Sequence, residues 1–381
     1  MSNIQASVSL SSAIDPNSFN FSGGPGALPE SVLEETQRAI RQVPGQRLSV
    51  LGMSHRSRWF REVVDEAESN IRQLLDIPAD YHVLFLQGGG TLQFSMVPMS
   101  FLRGTGRVAE YLHTGYWSGK SIDEARREGA VRVLWSGEQT GFRHLPREEQ
   151  LRFDPQAAYF HYVSNETVEG LQFHGLAGLN SVPRICDMSS DFLSRPFDVS
   201  RFALIYAHAQ KNLGPAGVTV VVVQDEMLRR IPDGLPSMMN YRNHVDAGSI
   251  YNTAPVFAIY VTMLVTRWLR DEIGGVEAMS SLNKAKASCL YAAIDASNGF
   301  YQGHAAVCDR SLMNVAFRLP TAKLEQQFLE LAQLAGFEGL AGHRSLGGVR
   351  ASIYNAVTLE AVESLCQFME FFQNSHREEE A

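Results

Sequence analysis

The chain has 381 residues, which at about 150 residues per domain predicts two or three domains. Hydrophobic residues make up 45% of it and charged residues 19%, so we expect a large buried core and exclude a disordered chain. Lys and Arg number 33 against 41 Asp and Glu. The resulting net charge of -8 argues against a nucleic-acid partner, which would need a basic face.

The cysteines and the apolar runs indicate the cellular compartment in which we expect the protein. Cys186, Cys289, Cys308 and Cys366 form no CxxC pair, so we expect free thiols, no metal site and a reducing compartment. The N-terminus lacks the pattern of a secretory signal, and no run of about 18 apolar residues predicts a membrane span. These features favour a cytoplasmic protein without a membrane partner.

The predicted elements begin after a polar, serine-rich stretch over 1–16, which we expect to be a loose tail. The spacing of apolar residues then predicts helices over 31–42 and 59–75. Next, seven short apolar runs alternate with helical segments, a pattern typical of an α/β domain whose mostly parallel sheet is buried on both faces. The runs cover 83–86, 107–112, 131–134, 157–163, 184–186, 203–206 and 218–223.

The last hundred residues have a different pattern, in which strand-like and helical runs mix. It predicts a small α+β domain. We therefore divide the chain into a large domain over 31–272 and a small domain over 273–381, with 17–30 packing against the small one. The helices predicted from residue 256 onwards cover 256–269, 276–296, 324–336 and 358–373, and the strands cover 313–318 and 349–353.

A glycine-rich turn, Gln87 to Thr91, follows the first predicted strand and precedes a helical segment. Glycines there expose backbone N–H groups, and a helix N-terminus favours an anion, so the turn is a candidate phosphate site. It matches neither the Walker loop nor GxGxxG. The alternative is a tight turn that needs positive φ, and this stretch alone favours neither interpretation.

Asp187 and Lys211 each follow a predicted strand, at the end where ligands bind in open parallel sheets. Taken alone, an Asp there is more often a cap residue, and most lysines are solvated. Lys211, however, lies among small residues before a Gly-Pro turn. A desolvated amine in that position would be neutral and nucleophilic near neutral pH.

Together these residues meet the requirements of pyridoxal phosphate. That cofactor needs a cradle for its phosphate, a lysine for a Schiff base and an acid beside its pyridine nitrogen. An aromatic residue such as Trp117 would stack on the ring, although Trp117 alone is more often a core residue. The sequence therefore predicts a pyridoxal-phosphate site.

From about Phe19 to Phe371 the chain resembles the phosphoserine aminotransferases, a class-V family of the aspartate-aminotransferase-like superfamily. The resemblance implies the type I fold of pyridoxal-phosphate-dependent transferases, with a seven-stranded sheet, and a homodimer with shared active sites. The motifs that carry it are Phe21 to Pro29, Ser54 to Ser57, Gln87 to Phe94, Gly115 to Trp117, Asn165 to Thr167, Asp187 to Ser190, Gln210 to Gly217, Tyr251 to Pro255 and Gly342 to Asn355.

The resemblance also implies a role for each cofactor-binding residue. Lys211 would form the Schiff base and move the substrate's α-proton, and Asp187 would pair with the pyridine nitrogen. Trp117 would stack on the ring and Thr167 would contact the cofactor near it. The phosphate would be bound by Gly90, Thr91 and Gln210, with Asn252 and Thr253 contributed by the other subunit.

Substrate recognition is implied in the same way. Arg350 would bind the α-carboxylate, because a planar guanidinium matches a carboxylate with two hydrogen bonds. Arg56, His343 and Arg344 would bind the distal anion, the last two from the partner subunit. The expected substrates are glutamate, 2-oxoglutarate, phosphoserine and 3-phosphohydroxypyruvate, and 4-phosphohydroxythreonine if the enzyme also serves vitamin B6 synthesis. One departure concerns Thr91, since some relatives have Arg there.

Two other interpretations stay open. The first is an enzyme of the same superfamily, either a transaminase of another acidic amino acid or a desulfurase. The desulfurase is disfavoured because none of the four cysteines lies in a mobile Gly/Ser-rich loop. The second is a non-catalytic scaffold with this fold, which the joint presence of Lys211, Asp187 and Arg350 argues against.

Overall fold

The computed structural model describes residues 16–175 and 182–377, so the predicted tail lies outside the described residues except for Pro16. The helices are α1 Glu30–Arg41, α2 Arg58–Leu75, α3 Gly89–Phe101, α4 Tyr116–Ala125, α5 Asp225–Arg229, α6 Tyr241–Asp246, α7 Val256–Asp271, α8 Val276–Ala296, α9 Ala322–Leu334 and α10 Leu359–Arg377. The strands are β1 Tyr81–Leu86, β2 Val108–His113, β3 Ala130–Ser136, β4 Phe160–Val163, β5 Asn165–Glu166, β6 Leu171–Gln172, β7 Arg184–Asp187, β8 Leu204–His208, β9 Thr219–Gln224, β10 Gln302–Gly303, β11 Asn314–Arg318 and β12 Val349–Ser352.

Within the described residues, seven strands form one sheet in the order β1-β9-β8-β7-β4-β2-β3. Strands β8, β7, β4, β2 and β3 pair in parallel, whereas β9 is antiparallel to both of its neighbours, β1 and β8. All seven correspond to predicted apolar runs. The predicted α/β fold with a mostly parallel seven-stranded sheet is confirmed.

Both faces of this sheet are covered, which explains the unbroken valine run in β9. Val220 and Val222 belong to the core that includes Val261 of α7. Val221 and Val223 belong to the opposite core, which includes Phe94 of α3. Because successive side chains of a strand point to opposite faces, a strand between two helical layers must be apolar at every position.

A second, three-stranded antiparallel sheet, β10-β11-β12, lies in the C-terminal part of the chain. Its core is separate and rich in phenylalanine, with Phe317 of β11, Phe328 of α9 and Phe368 of α10. Phe19 joins the same core, and its ring centroid lies 5.6 Å from that of Phe337. The exact boundary at residue 273 stays a prediction.

The parallel topology brings the carboxyl ends of β4, β7 and β8 together at one edge of the large sheet. Asp187 is the last residue of β7, His208 is the last residue of β8, and Lys211 follows in the next loop. Chain segments far apart in sequence therefore contribute side chains to one place. Among the helices of the described residues, none is both long and apolar enough to span a membrane.

Candidate active site

One cavity lies at this edge of the sheet, where ligands bind in open parallel sheets. The structure brings seven of the nine predicted cofactor-binding residues together around it. The seven are Gly90, Thr91, Trp117, Thr167, Asp187, Gln210 and Lys211.

Lys211 is buried in the wall of the cavity, with 8% of its surface exposed. Its Nζ donates a hydrogen bond to Thr167 Oγ1 over 2.6 Å and lies 5.9 Å from the centroid of the Trp117 ring. Burial lowers the pKa of Lys211 to about 8, while the nearby carboxylate of Asp187 acts in the opposite direction. The amine is therefore much closer to its nucleophilic, neutral form than an exposed lysine.

Asp187 faces the same cavity from the end of β7. Its Oδ1 accepts a hydrogen bond from the backbone N–H of Ser189 over 2.8 Å. Burial raises the pKa of Asp187, whereas the Ser189 hydrogen bond and the positive charge of Lys211 lower it. A cationic group in the cavity would hold this carboxyl in its ionised form.

Of the two interpretations of the glycine-rich turn, the tight turn is observed, and the phosphate site stays a prediction. Gly88 and Gly89 have φ values of 92° and 69°, so they do form a tight turn with positive φ at the start of α3. Gly90 lines the cavity, and a Cβ there would lie 3.3 Å from Ser189 Oγ and 3.8 Å from Asp187 Oδ2. The absence of side chains leaves the N-terminus of α3 open to an anion from the cavity.

The unpaired polar atoms around the cavity test whether a cofactor fits. The buried Trp117 Nε1 and Gln210 Oε1 have no hydrogen-bond partner among the described residues. Buried polar atoms are normally paired, so these two indicate a missing ligand. With a helix N-terminus, a buried amine and a buried carboxyl also present, the site fits pyridoxal phosphate.

Arg350 lies on β12 beside the glycine-rich N-terminal segment. A side chain at Gly23 would overlap its guanidinium, so glycine allows the close approach of Arg350 in this position. Its buried Nε has no hydrogen-bond partner, and its guanidinium forms no ion pair within the described parts of the chain. Burial lowers the pKa of Arg350, and the charge of Glu169 raises it. A guanidinium in this state suits an incoming carboxylate.

The other predicted substrate residues are His343, Arg344 and Arg56, and none of them lines the cavity. The His343 ring lies 4.7 Å from that of Tyr116 of the same chain, and burial and the charges of Arg350 and Arg344 lower the pKa of His343. Arg344 is exposed in the same loop. The structure thus places both residues near their own chain's Arg350. Their contribution from a partner subunit stays a prediction.

Like Arg350, His343 and Arg344, the predicted residues Arg56, Asn252 and Thr253 do not line the cavity of this chain. Arg56 is exposed in the turn before α2. Asn252 Oδ1 accepts a hydrogen bond from Gln87 Nε2 over 3.2 Å, and the backbone oxygen of Thr253 lies 3.5 Å from the same nitrogen. Asn252 and Thr253 therefore lie beside the glycine-rich turn but outside the cavity wall.

Sequence analysis gave no role to four polar residues that line the cavity, Asn165, Ser189, Ser190 and His208. Burial and the charge of Lys211 lower the pKa of His208 to about 4, so its ring is neutral. A Cβ on Gly89 would lie 3.2 Å from that ring. The first three belong to motifs already singled out, and His208 lies two residues before such a motif; the position of all four near strand ends was the available signal.

Comparisons with known proteins agree with this geometry. The family model described as aminotransferase class-V matches residues 18–365. The chain is 51% identical to the phosphoserine aminotransferase of Laribacter hongkongensis, over 94% of this chain and 99% of that protein.

Two solved structures extend the comparison. The phosphoserine aminotransferase from Bacillus circulans subsp. alkalophilus is 46% identical with a TM-score of 0.91, covering 94% of this chain and 99% of that one. The pyridoxal-phosphate-bound phosphoserine aminotransferase from Trichomonas vaginalis is 36% identical with a TM-score of 0.86, covering 92% and 99%.

Proposed function

Because this chain belongs to the class-V aminotransferase family, we propose that it acts as a phosphoserine aminotransferase in serine biosynthesis. It transfers the amino group between L-glutamate and 3-phosphohydroxypyruvate, giving 2-oxoglutarate and O-phospho-L-serine. The enzyme depends on pyridoxal phosphate.

The observation that carries the proposal is the convergence of a buried amine and a buried carboxyl on one cavity. Lys211 Nζ, 2.6 Å from Thr167 Oγ1, and Asp187 face the same space as the glycine-rich turn. These are the three groups that this cofactor requires, and they come from three separate parts of the chain.

When bound, the cofactor supplies a ring that accepts the electrons left by loss of the substrate's α-proton. The chain's own residues prepare and use that ring. Lys211 Nζ would hold the cofactor covalently and would move the proton at the substrate's α-carbon. Asp187 would keep the pyridine nitrogen protonated, and Trp117 would contact the ring. The N-terminus of α3 would bind the phosphate.

Two anion sites select the substrate. Arg350, whose guanidinium has no ion pair within the described residues, binds the α-carboxylate common to every amino donor. His343, Arg344 and Arg56 bind the second anionic group, which is a carboxylate in glutamate and a phosphate in phosphoserine. With Thr91 in place of Arg, these three residues carry the distal site. A longer phosphorylated amino acid, 4-phosphohydroxythreonine, has the same two anions and is proposed as a second substrate.

We further propose that the enzyme is a cytoplasmic homodimer, with Asn252 and Thr253 completing the site of the partner subunit. Leu48, Leu51 and Tyr251 are large exposed apolar side chains, and they lie close in sequence to Arg56 and Asn252. Burial of such residues against a second copy would stabilise the dimer, which supports the proposal.

The proposal is tested by the visible absorption spectrum of the purified holoenzyme during titration with O-phosphoserine, glutamate and serine. Phosphoserine and glutamate should bleach the band of the bound cofactor at millimolar concentration or below, and serine should not. A holoenzyme that bleaches with glutamate and ignores phosphoserine would instead be a transaminase of another acidic amino acid. A holoenzyme whose band bleaches with none of the three amino acids would support the interpretation as a non-catalytic scaffold.

Arg350→Lys provides the control for the α-carboxylate site. The ammonium of lysine cannot form the two parallel hydrogen bonds that a planar guanidinium forms with a carboxylate. KM should therefore rise about tenfold or more for glutamate and phosphoserine alike. An increase for phosphoserine alone would place Arg350 at the distal anion and contradict its proposed role.

A further inference from the structure

Two buried glutamates beside the cavity have no role in the proposed transamination mechanism. Glu166 is the last residue of β5, and Glu169 lies in the turn between β5 and β6. Glu166 has no exposed surface, and Glu169 is 5% exposed. Buried carboxyls are costly unless they are hydrogen-bonded or paired, so their contacts bear on function.

The backbone hydrogen bonds of both carboxyls go to the first turn of α4, which carries Trp117. Glu169 Oε1 accepts from the backbone N–H of Tyr116 over 2.9 Å. Glu166 Oε2 accepts from the N–H of Trp117 over 3.1 Å, and Glu166 Oε1 from that of Ser118 over 3.0 Å. Two carboxyls therefore satisfy three successive donors that a helix N-terminus leaves unpaired.

The two carboxyl groups share one small space. A Cβ at Gly115 would overlap the Glu169 carboxyl and lie 2.8 Å from Glu166 Cδ, so both carboxyls lie against this glycine. Like charges close together in a buried site disfavour ionisation of both groups, so the pair favours a single negative charge. The environment therefore decides which carboxyl carries the charge.

The hydrogen bonds favour Glu166 as the charged member. Both of its oxygens accept backbone donors, and Oε1 also accepts from Thr114 Oγ1 over 3.1 Å. Glu169 Oε2 has no partner among the described residues. Burial raises the pKa of both groups, and the charge of Glu166 holds that of Glu169 well above its usual range.

Other charged groups face the pair from the surrounding elements. Arg350 of β12 acts on Glu169 and Lys211 interacts with Glu166, each attracting a carboxylate. On the outer side of α4, Lys120, Asp123 and Glu138 line a neighbouring cavity with Glu169. The positive charges of Arg350, Lys211 and Lys120 favour one negative charge in the pair. The negative charges of Asp123 and Glu138 disfavour a second.

We propose that this carboxyl pair fixes the first turn of α4 and thereby positions Trp117 against the cofactor ring, with Glu166 carrying the charge and Glu169 the proton. Both are positioning residues that act through Trp117. The inference rests on the proposed cofactor contact of Trp117, and the experiment separates the failure of that contact from the failure of the pair.

The test compares Glu166→Gln with Glu169→Gln in the full-length enzyme. The readouts are the visible circular dichroism of the bound cofactor and the Kd of pyridoxal phosphate for the apoenzyme. An amide resembles a protonated acid, so Glu169→Gln should leave both within about twofold of wild type. Glu166→Gln loses charge-assisted hydrogen bonds, so its Kd should rise about tenfold or more, with a weaker dichroic band. The reverse order would overturn the assignment of charge and proton.

Glu110→Gln is the matched control for loss of a buried carboxylate. Glu110 is buried on β2, where it pairs with Arg132 and accepts from the backbone N–H of Asp154. This variant should lower stability without changing the dichroic band. If Glu166→Gln behaves in the same way, its role is structural only and the proposal fails. Should Glu166→Gln not fold, Thr114→Val removes a single donor to Glu166 and should weaken cofactor binding about threefold; no change would overturn the proposal.

A double-mutant cycle with Trp117→Ala tests whether Glu166 acts through Trp117. Trp117→Ala alone should reduce the dichroic band, and adding Glu166→Gln should then cost less than about twofold in Kd. A full further loss in the double variant would show that Glu166 does not act through Trp117. A normal band in Trp117→Ala would instead refute the proposed ring contact itself.

Discussion

The amine of Lys211 is chemically useful because the protein buries it. With a pKa of about 8, roughly a tenth of the amine is neutral at pH 7, compared with about three parts in ten thousand for an ordinary lysine. The hydrogen bond to Thr167 Oγ1 and the contact with Trp117 hold it towards the cavity. A reactive amine and a defined position arise from the same packing.

This burial predicts the pH dependence of cofactor capture. Only the neutral amine attacks a carbonyl, so the rate at which apoenzyme develops the visible band should rise about tenfold from pH 6 to pH 7. It should level off above about pH 9, where most of the amine is deprotonated. Stopped-flow absorbance measures this rate, with Lys211→Ala as the variant that forms no band. A rate that keeps rising to pH 10 would contradict the lowered pKa.

Asp187 is buried by the same packing and has a complementary role. Asp187→Asn keeps the shape and the hydrogen bond from Ser189 N–H but removes the charge that would face the pyridine nitrogen. We expect the cofactor to stay bound and kcat to fall by about 10² to 10³. Steady-state kinetics at saturating cofactor checks this, with the visible spectrum as the control for occupancy. Unchanged kcat would mean that Asp187 is a structural cap.

At the scale of the elements, helix α8 is tied to the segment after β12 by one buried lysine. Lys286 Nζ donates to the backbone oxygens of Ile353 over 3.1 Å, Tyr354 over 2.7 Å and Val357 over 2.9 Å. The three carbonyls follow the strand that carries Arg350. Lys286 is therefore a structural residue that fixes the position of β12 relative to α8.

Loss of this contact should destabilise the protein. Lys286→Met leaves three buried carbonyls without their donor, and we expect the free energy of unfolding to fall by about 2–4 kcal/mol. Urea denaturation of the holoenzyme measures this change. Lys284→Met on the exposed side of the same helix is the matched control and should change stability by less than about 0.5 kcal/mol. Equal effects in the two variants would contradict the structural role.

At the scale of the whole molecule, the proposal to be tested is that a second subunit completes the site. Asn252 and Thr253 lie beside Gln87 but outside the cavity wall of their own chain. Arg56 is likewise exposed. The family resemblance assigns these polar residues to the cofactor or the substrate, yet they lie outside the cavity of one chain. A site shared between two subunits would require such an arrangement.

Mixed dimers test this arrangement. Lys211→Ala and the double variant Asn252→Ala/Thr253→Ala should each be impaired as homodimers. If Asn252 and Thr253 serve the partner's site, a mixed dimer contains one site with both defects and one with neither. The purified mixed dimer should then have about half of wild-type activity, and an equal mixture after random subunit exchange about a quarter. No recovery, in a sample that sedimentation shows to be dimeric, would place these residues in their own chain's site.

Much of the fold follows from local patterns in the sequence. The seven apolar runs predicted the strands of the large sheet, because strands buried on both faces are apolar at every position. Helix α2, predicted over 59–75, is observed over Arg58–Leu75. The position of Asp187 and Lys211 just after strands also placed them on one edge of the sheet, since parallel strands end on the same side.

Only the tertiary structure decided the contacts between distant segments. The sequence does not reveal that Glu166 and Glu169 share a space around Gly115, that Gly23 admits the guanidinium of Arg350, or that His208 lines the cavity. Each depends on the register and packing of elements far apart in the chain. Short-range periodicity determines which residues form a strand or helix. The three-dimensional arrangement of those elements determines which side chains are in contact, and the chemistry of the site depends on those contacts.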